Sequence, residues 1–182
     1  MKLILLLLVA AIVLALWRPG FGFRSQRLEQ YAGTGPAFDI QERLSGDLIS
    51  EGMIYGPRGR VVSRFVARMR GEWDGSSGTL SEDFSYANGS TQARKWNLTM
   101  GSDGHFTATA DDIIGTGTGR QLGATVQLSY RIRLPEDAGG HVLDVTDWMY
   151  LMDNGTILNR SEMRKFGIKV AELIATMRPE EG

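Results

Sequence analysis

Glu82, Arg94 and Asp112 carry charge at positions where the surrounding alternation calls for apolar side chains. The turn Ala87-Asn88-Gly89 reads as a three-residue hairpin loop with Gly89 left-handed, which sets Leu80 opposite Trp96, Glu82 opposite Arg94 and Phe84 opposite Gln92. A two-residue turn at Asn88-Gly89 would set that apolar face against Thr91, Ala93, Lys95 and Asn97, so the longer loop is predicted. Asp153-Asn154-Gly155 has the same form and pairs Tyr150 with Leu158, Trp148 with Arg160 and Leu151 with Ile157. Asp112 shares a face with Phe106, Ala108, Ala110 and Ile114 on a strand predicted over 105–114. Charge among apolar neighbours must be paired or neutralised, so an ion pair between Glu82 and Arg94 is expected. The plainest role for it is a bridge that sets strand register. A functional role would be a polar floor that orients the head group of a bound molecule, with Trp96, Tyr130, Trp148 and Arg160 as further ligand-binding candidates. Glu82 with Asp112 could also imitate the carboxylate pair of a glycan-cleaving enzyme, which depends on their separation.

Other chemistry finds little support. The chain has no cysteine, which removes disulfides, thiolate nucleophiles, zinc–thiolate sites and thioether lipidation. The two histidines, His105 and His141, lie at strand starts and lack the spacing of a zinc pair, and no nucleophile elbow accompanies them. Gly115-Thr116-Gly117-Thr118-Gly119 superficially resembles a phosphate loop, but no Lys-Ser/Thr pair and no helix follow, so a glycine-rich strand or bulge is expected. Asn88, Asn97, Asn154 and Asn159 head Asn-x-Ser/Thr triplets and read as turn and strand-edge residues. No catalytic residue, metal ligand or cofactor is therefore assigned. Formal net charge is −1, and beyond the N-terminal segment 18 basic residues face 21 acidic ones. That balance does not suit a phosphate-tracking surface, and nucleic acid is not an expected partner.

These residues need elements to place them. The chain of 182 residues suits one domain, and 23 glycines beside only 5 prolines point to many tight turns. Candidate strands cover 47–55, 61–73, 78–86, 90–100, 105–114, 124–134, 141–152, 156–164 and 167–177. Val126, Leu128, Tyr130, Ile132 and Leu134 share one face of a strand, and Phe65, Ala67, Met69 and Trp73 one face of another. The linking turns are too short for parallel crossovers, so neighbours should pair antiparallel. Such a meander has two exposed edges unless it closes into a barrel. Residues 38–44 could form one or two helical turns, and Phe166 to Met177 reads as a strand although a helical spacing also fits.

Ahead of this body, Leu3 to Trp17 is an apolar run of 15 residues, closed by Arg18-Pro19-Gly20. It is short for a spanning helix, which needs about 20 apolar residues, and long enough for a signal sequence. Trp17 and Arg18 suit an interfacial belt and favour a retained anchor over a cleaved signal. The expected organisation is thus a signal peptide or signal anchor over 1–20, a linker over 21–35 and a β-barrel domain over 36–182. Membrane contact is expected through residues 3–17.

Several segments carry a family pattern: Gly71-Glu72-Trp73-Asp74-Gly75, Leu80-Ser81-Glu82-Asp83-Phe84, Thr109-Ala110-Asp111-Asp112-Ile113-Ile114-Gly115, and Asp147 to Asp153 continuing through Asn159-Arg160 to Lys165-Phe166-Gly167-Ile168. In this order they resemble the bacterial domain-of-unknown-function family 3833, from about Tyr31 to the C-terminus. The resemblance implies an all-β fold: a single antiparallel up-and-down barrel of the lipocalin-like (calycin) type, with about 8–10 strands behind a short hydrophobic helix. It also implies a Gram-negative envelope protein, in the inner membrane with a periplasmic domain, or periplasmic if the signal is cleaved. Members commonly begin with a lipoprotein signal; without cysteine, this chain must use the hydrophobic segment itself. The resemblance implies no activity. The leading expectation is a noncatalytic module for an apolar, lipid-like or amphipathic small molecule. An enzyme using interior carboxylates on an envelope lipid or glycan is the second reading, and a structural or interaction protein with a filled barrel the third.

Overall fold

Short turns dictate the topology. The computed structural model describes residues 2–16 and 22–180. Ten strands follow in order: β1 (Gly46–Tyr55), β2 (Val61–Asp74), β3 (Ser77–Tyr86), β4 (Thr91–Met100), β5 (His105–Thr109), β6 (Gly117–Leu122), β7 (Thr125–Arg133), β8 (Val142–Leu151), β9 (Ile157–Lys165) and β10 (Ile168–Pro179). Each pairs antiparallel with the next, and β10 closes on β1. Closure leaves no unpaired edge. Both hairpin registers expected from the three-residue loops are present: Glu82 opposite Arg94 and Leu80 opposite Trp96, then Trp148 opposite Arg160 and Leu151 opposite Ile157.

The structure has one more strand than the nine candidates. The strand expected over 105–114 stops at Thr109, and the chain turns where Ile113 N donates to Ala110 O at 3.0 Å. Ile113 keeps a single bridge to Ile132, and the glycine-rich stretch then forms β6. Its inward positions are glycines for a packing reason. Gly119 pairs directly with Phe106, whose ring lies so close that an added Cβ would stand 2.3 Å from it. Gly52 with Phe65 and Gly78 with Trp73 repeat the arrangement, at 2.4 and 2.3 Å. In each pair the glycine leaves room for the ring on the neighbouring strand, so the barrel can curve tightly around its aromatic residues.

The two ends of the barrel differ. The short helix α2 (Ile40–Arg43) is capped by Asp39, whose carboxylate accepts from the backbone of Gln41 and Glu42. Phe38, Ile40 and Leu44 bury themselves in the core at this end. Leu44 O accepts from Trp73 Nε1 at 3.2 Å, and a Cβ on Gly71 would fall 1.7 Å from the same oxygen. At the opposite end Pro135 and Ala138, from the loop after β7, line the interior.

The C-terminal segment is strand. Phe166 and Gly167 both have positive φ, 51° and 77°, and form a two-residue reversal that sets Ile168 against Lys165. That turn returns the chain along β9 before a helix can start.

Of the stretch read as a linker, residues 22–35 lie against the outer wall. Phe23 and Leu28, in two 3₁₀ turns (Phe23–Ser25 and Leu28–Tyr31), are buried on Trp148. Gln26 Oε1 accepts from the hydroxyls of both Tyr31 and Tyr150.

The N-terminal helix α1 (Lys2–Leu16) exposes Leu3 through Val9. Among the described residues no helix is long and apolar enough to cross a membrane. Trp17 and Arg18, read as an interfacial belt, lie outside the described residues.

Candidate functional site

The barrel interior is not filled by its own side chains. A cavity of about 510 Å³ occupies it, walled by apolar groups such as Ile54, Phe65, Leu80, Phe84, Leu128 and Leu173. Ile40 and Leu44 line its end under α2. The opposite end is lined by Val62, Leu134, Pro135, Ala138 and Leu143, from the strand ends and loops remote from that helix. The size falls within the range of about 300–1,000 Å³ usual for small-molecule sites.

A polar layer crosses this apolar volume. Arg94 on β4 reaches Asp112, its Nε donating to Asp112 Oδ2 at 2.9 Å and Nη2 donating to the same oxygen. Its guanidinium also stands over the Trp96 ring, 5.1 Å from the centroid. Glu82 on β3 takes no such bond from Arg94; its Oε2 accepts from Trp96 Nε1 at 3.2 Å. Trp96 in turn meets Tyr130 edge-on, with centroids 5.2 Å apart. The ion pair expected between Glu82 and Arg94 is therefore formed by Arg94 and Asp112. Opposite register positions place two Cβ atoms close, but the long guanidinium stem passes its direct neighbour to reach a carboxylate on the loop after β5.

Asp147 on β8 completes the layer. It is 7% exposed and lies opposite Ser161 on β9, with the Ser161 and Tyr130 hydroxyls close enough to favour its ionised form. Asn159 Nδ2 donates to Ser161 Oγ at 3.3 Å. Burial pushes the Asp147 carboxyl up to about 6 against the pull of Ser161, Tyr130 and Arg94. Burial likewise pushes Glu82 up to about 7, opposed by Arg94 and Trp96 and reinforced by Asp147 and Asp112. The Tyr130 hydroxyl is held well above its ordinary value by the same burial.

The structure thus brings Glu82, Arg94, Trp96, Asp112 and Tyr130 together in one cavity. It does not bring Trp148 and Arg160 there. Both lie on the outer face of the wall, where Arg160 stands 5.0 Å over the Phe23 ring and Trp148 packs under Phe23 and Leu28. Hairpin pairing is the same whichever face turns inward, and both faces of β8 are apolar. Leu143, Val145, Met149 and Leu151 alternate with Trp148 and Tyr150, and the smaller set is the one inside. Asp147, Asn159 and Ser161 escape a reading of the sequence for that reason. The signal that could find them is Leu151 opposite Ile157, the most buried pair of this hairpin. Asp112 enters the cavity from the loop after β5, not from a strand. Among the described residues no cluster of His, Asp or Glu is placed to hold a metal ion.

No curated protein matches this chain in sequence. Among solved structures, the barrel is similar to the S-type phycobiliprotein lyase CPES from Guillardia theta, with TM-score 0.57 and 8% identity over 86% of this chain and 99% of that one. It is also similar to Rv2717c from M. tuberculosis, with TM-score 0.54 and 16% identity over 81% of this chain and 99% of that one. At such identities the likeness is one of fold. The matched family region begins before Phe23 and so takes in the segment packed on Trp148 as well as all ten strands. Residues 20–179 match the model of Protein of unknown function (DUF3833), and the chain belongs to that family.

Proposed function

We propose that the barrel is a noncatalytic binding module that holds one apolar or amphipathic small molecule. The observation that carries this reading is the cavity of about 510 Å³, apolar along its walls and crossed by a polar layer. Apolar walls supply the attraction and a few polar groups fix orientation, the usual division of labour in a small-molecule site. The shared fold with a phycobiliprotein lyase supports a barrel built around an interior, and it carries no substrate to this chain.

The proposal extends to place. The apolar segment 3–17 directs the chain to the bacterial inner membrane and leaves the barrel in the periplasm. Its support is the unbroken apolar run and the leucines exposed along α1. Cell fractionation of a chain lacking 1–20 checks this: the barrel should leave the membrane fraction, and its retention there in high salt would contradict the assignment.

Mass spectrometry of small molecules extracted from the barrel, purified from Gly22 onward without detergent, tests the binding role. One amphiphile near equimolar amount is expected. Leu173→Trp, which puts an indole into the cavity, should lose it. A barrel that carries nothing and binds no added amphiphile would overturn the reading.

A further inference from the structure

The polar layer holds more carboxyls than cations. Three carboxyls face the cavity, those of Glu82, Asp112 and Asp147, and among the described residues that line it Arg94 is the single cation. Both of its donated bonds go to Asp112 Oδ2. Three further donors already have partners: Trp96 Nε1 gives to Glu82, Asn159 Nδ2 to Ser161, and the Tyr86 hydroxyl to Gln92 Oε1 at 2.9 Å. Asp112 Oδ1, Asp147 Oδ1 and Asn159 Oδ1 are left buried with no donor at all. Buried polar atoms in folded proteins almost always find a partner, and two of these, Asp147 Oδ1 and Asn159 Oδ1, stand on neighbouring strands and call for a common explanation.

We propose that the molecule held here carries an ammonium head group, seated on Asp147 Oδ1, Asn159 Oδ1 and the Glu82 carboxylate, with its apolar part against the cavity walls. This rests on the binding-module reading and deepens it. An ammonium offers three donors and no acceptor, the complement of what the layer lacks. It also balances the surplus negative charge, which an apolar setting would otherwise resist. Asp147 and Asn159 project from neighbouring strands on the same face, two residues out of register, and Glu82 lines the same cavity, where the Asp147 charge pushes its carboxyl up. A carboxylate head would add a fourth carboxyl to three that face one cation, and an alcohol would bring one donor and leave the charge unbalanced.

Binding is therefore coupled to protons. Glu82 faces Arg94, Asp147, Asp112, Tyr86 and Tyr130, and Asp147 faces Arg94, Tyr130 and Glu82. In the empty cavity burial favours the protonated acids. An entering cation favours the ionised forms, so it expels protons, and its affinity rises with pH.

The test uses the full chain held in solution by an amphipathic polymer, titrated calorimetrically with 4-phenylbutylamine, 4-phenylbutan-1-ol and 4-phenylbutanoate. The amine should bind at least about tenfold more tightly than the alcohol, with the carboxylate weakest. Its affinity should rise from pH 5 to pH 8, with proton release visible as a heat that depends on the buffer's ionisation enthalpy. Asp147→Asn should weaken the amine about tenfold and the alcohol much less. Asn159→Leu, which removes an acceptor without touching a charge, should also weaken the amine and serves if Asp147→Asn does not fold. Tighter binding of the alcohol or the carboxylate, or an amine affinity indifferent to pH and to both variants, overturns the ammonium assignment and leaves the binding module standing. Binding of none of the three overturns both.

Discussion

Glu82 and Arg94 stand opposite each other on β3 and β4, yet the guanidinium turns past Glu82 to Asp112. Glu82 is left with the indole N–H of Trp96 at 3.2 Å. The arrangement divides three carboxyls into one that is firmly paired and two, Glu82 and Asp147, that burial holds near neutral pH. That division sets both the stability of the barrel and the kind of molecule its interior suits.

The pairing can be checked by a double-mutant cycle. Arg94→Met strands the Asp112 carboxylate in a largely buried setting and should cost about 3 kcal/mol in denaturant unfolding. Adding Asp112→Asn should recover most of that loss. Adding Glu82→Gln should recover much less, since Glu82 can take up a proton when Arg94 is gone. Equal rescue by the two would place the ion pair on Glu82 after all.

The raised carboxyls make stability pH-dependent in a defined direction. Glu82 goes from 4.5 to about 7 and Asp147 from 3.8 to about 6 on folding. Between those limits the folded chain binds more protons than the unfolded one. Their contribution is fully present below the lower values and is lost as pH rises through the upper ones, with a slope of about 1.4 kcal/mol per pH for each carboxyl that is protonated only in the folded chain. The denaturant midpoint should therefore fall between pH 4.5 and pH 7.5, and the double variant Glu82→Gln/Asp147→Asn should flatten that slope. A midpoint that rises over the window in the parent chain would refute the assignment.

Glycine at the aromatic pairs is a packing requirement. Gly119→Ala pushes a methyl into the Phe106 ring at 2.3 Å and should cost about 1–3 kcal/mol. Gly71→Ala meets the rigid carbonyl of Leu44 at 1.7 Å and should cost more, because backbone cannot give way as a ring can. Adding Phe106→Leu should relieve part of the first substitution, whose methyl also meets the Gln127 carbonyl at 2.8 Å, and none of the second. Urea midpoints of the four variants decide it.

Arg160 and Trp148 should matter to the outer wall and not to the cavity. Arg160→Leu removes the cation over Phe23 and the bond from Nε to Glu172 at 2.6 Å. Protease cutting within 22–35 should become faster, while retention of a bound amphiphile is unchanged. Loss of the amphiphile without faster cutting would return Arg160 to the interior.

Strand order and the two hairpin registers were legible because they rest on local chemistry. Turn residues with positive φ at Gly89 and Gly155 fix loop length, and loop length fixes which residues face each other. The family pattern added the lipocalin-like barrel, and closure of β10 on β1 agrees with it. The hidden strand β6 has no apolar alternation, since Gly117 and Gly119 take its buried places and the Phe106 ring fills the space over Gly119. Three things needed the tertiary structure. One is which face of β8 turns inward, because a segment far along the chain, Phe23 to Tyr31, covers the outer face and makes it as apolar as the inner. Another is the partner of Arg94, because a flexible side chain chooses among carboxylates that only barrel closure gathers. The last is the set of buried acceptors left without a donor, because hydrogen-bond satisfaction belongs to a closed volume and to no single strand.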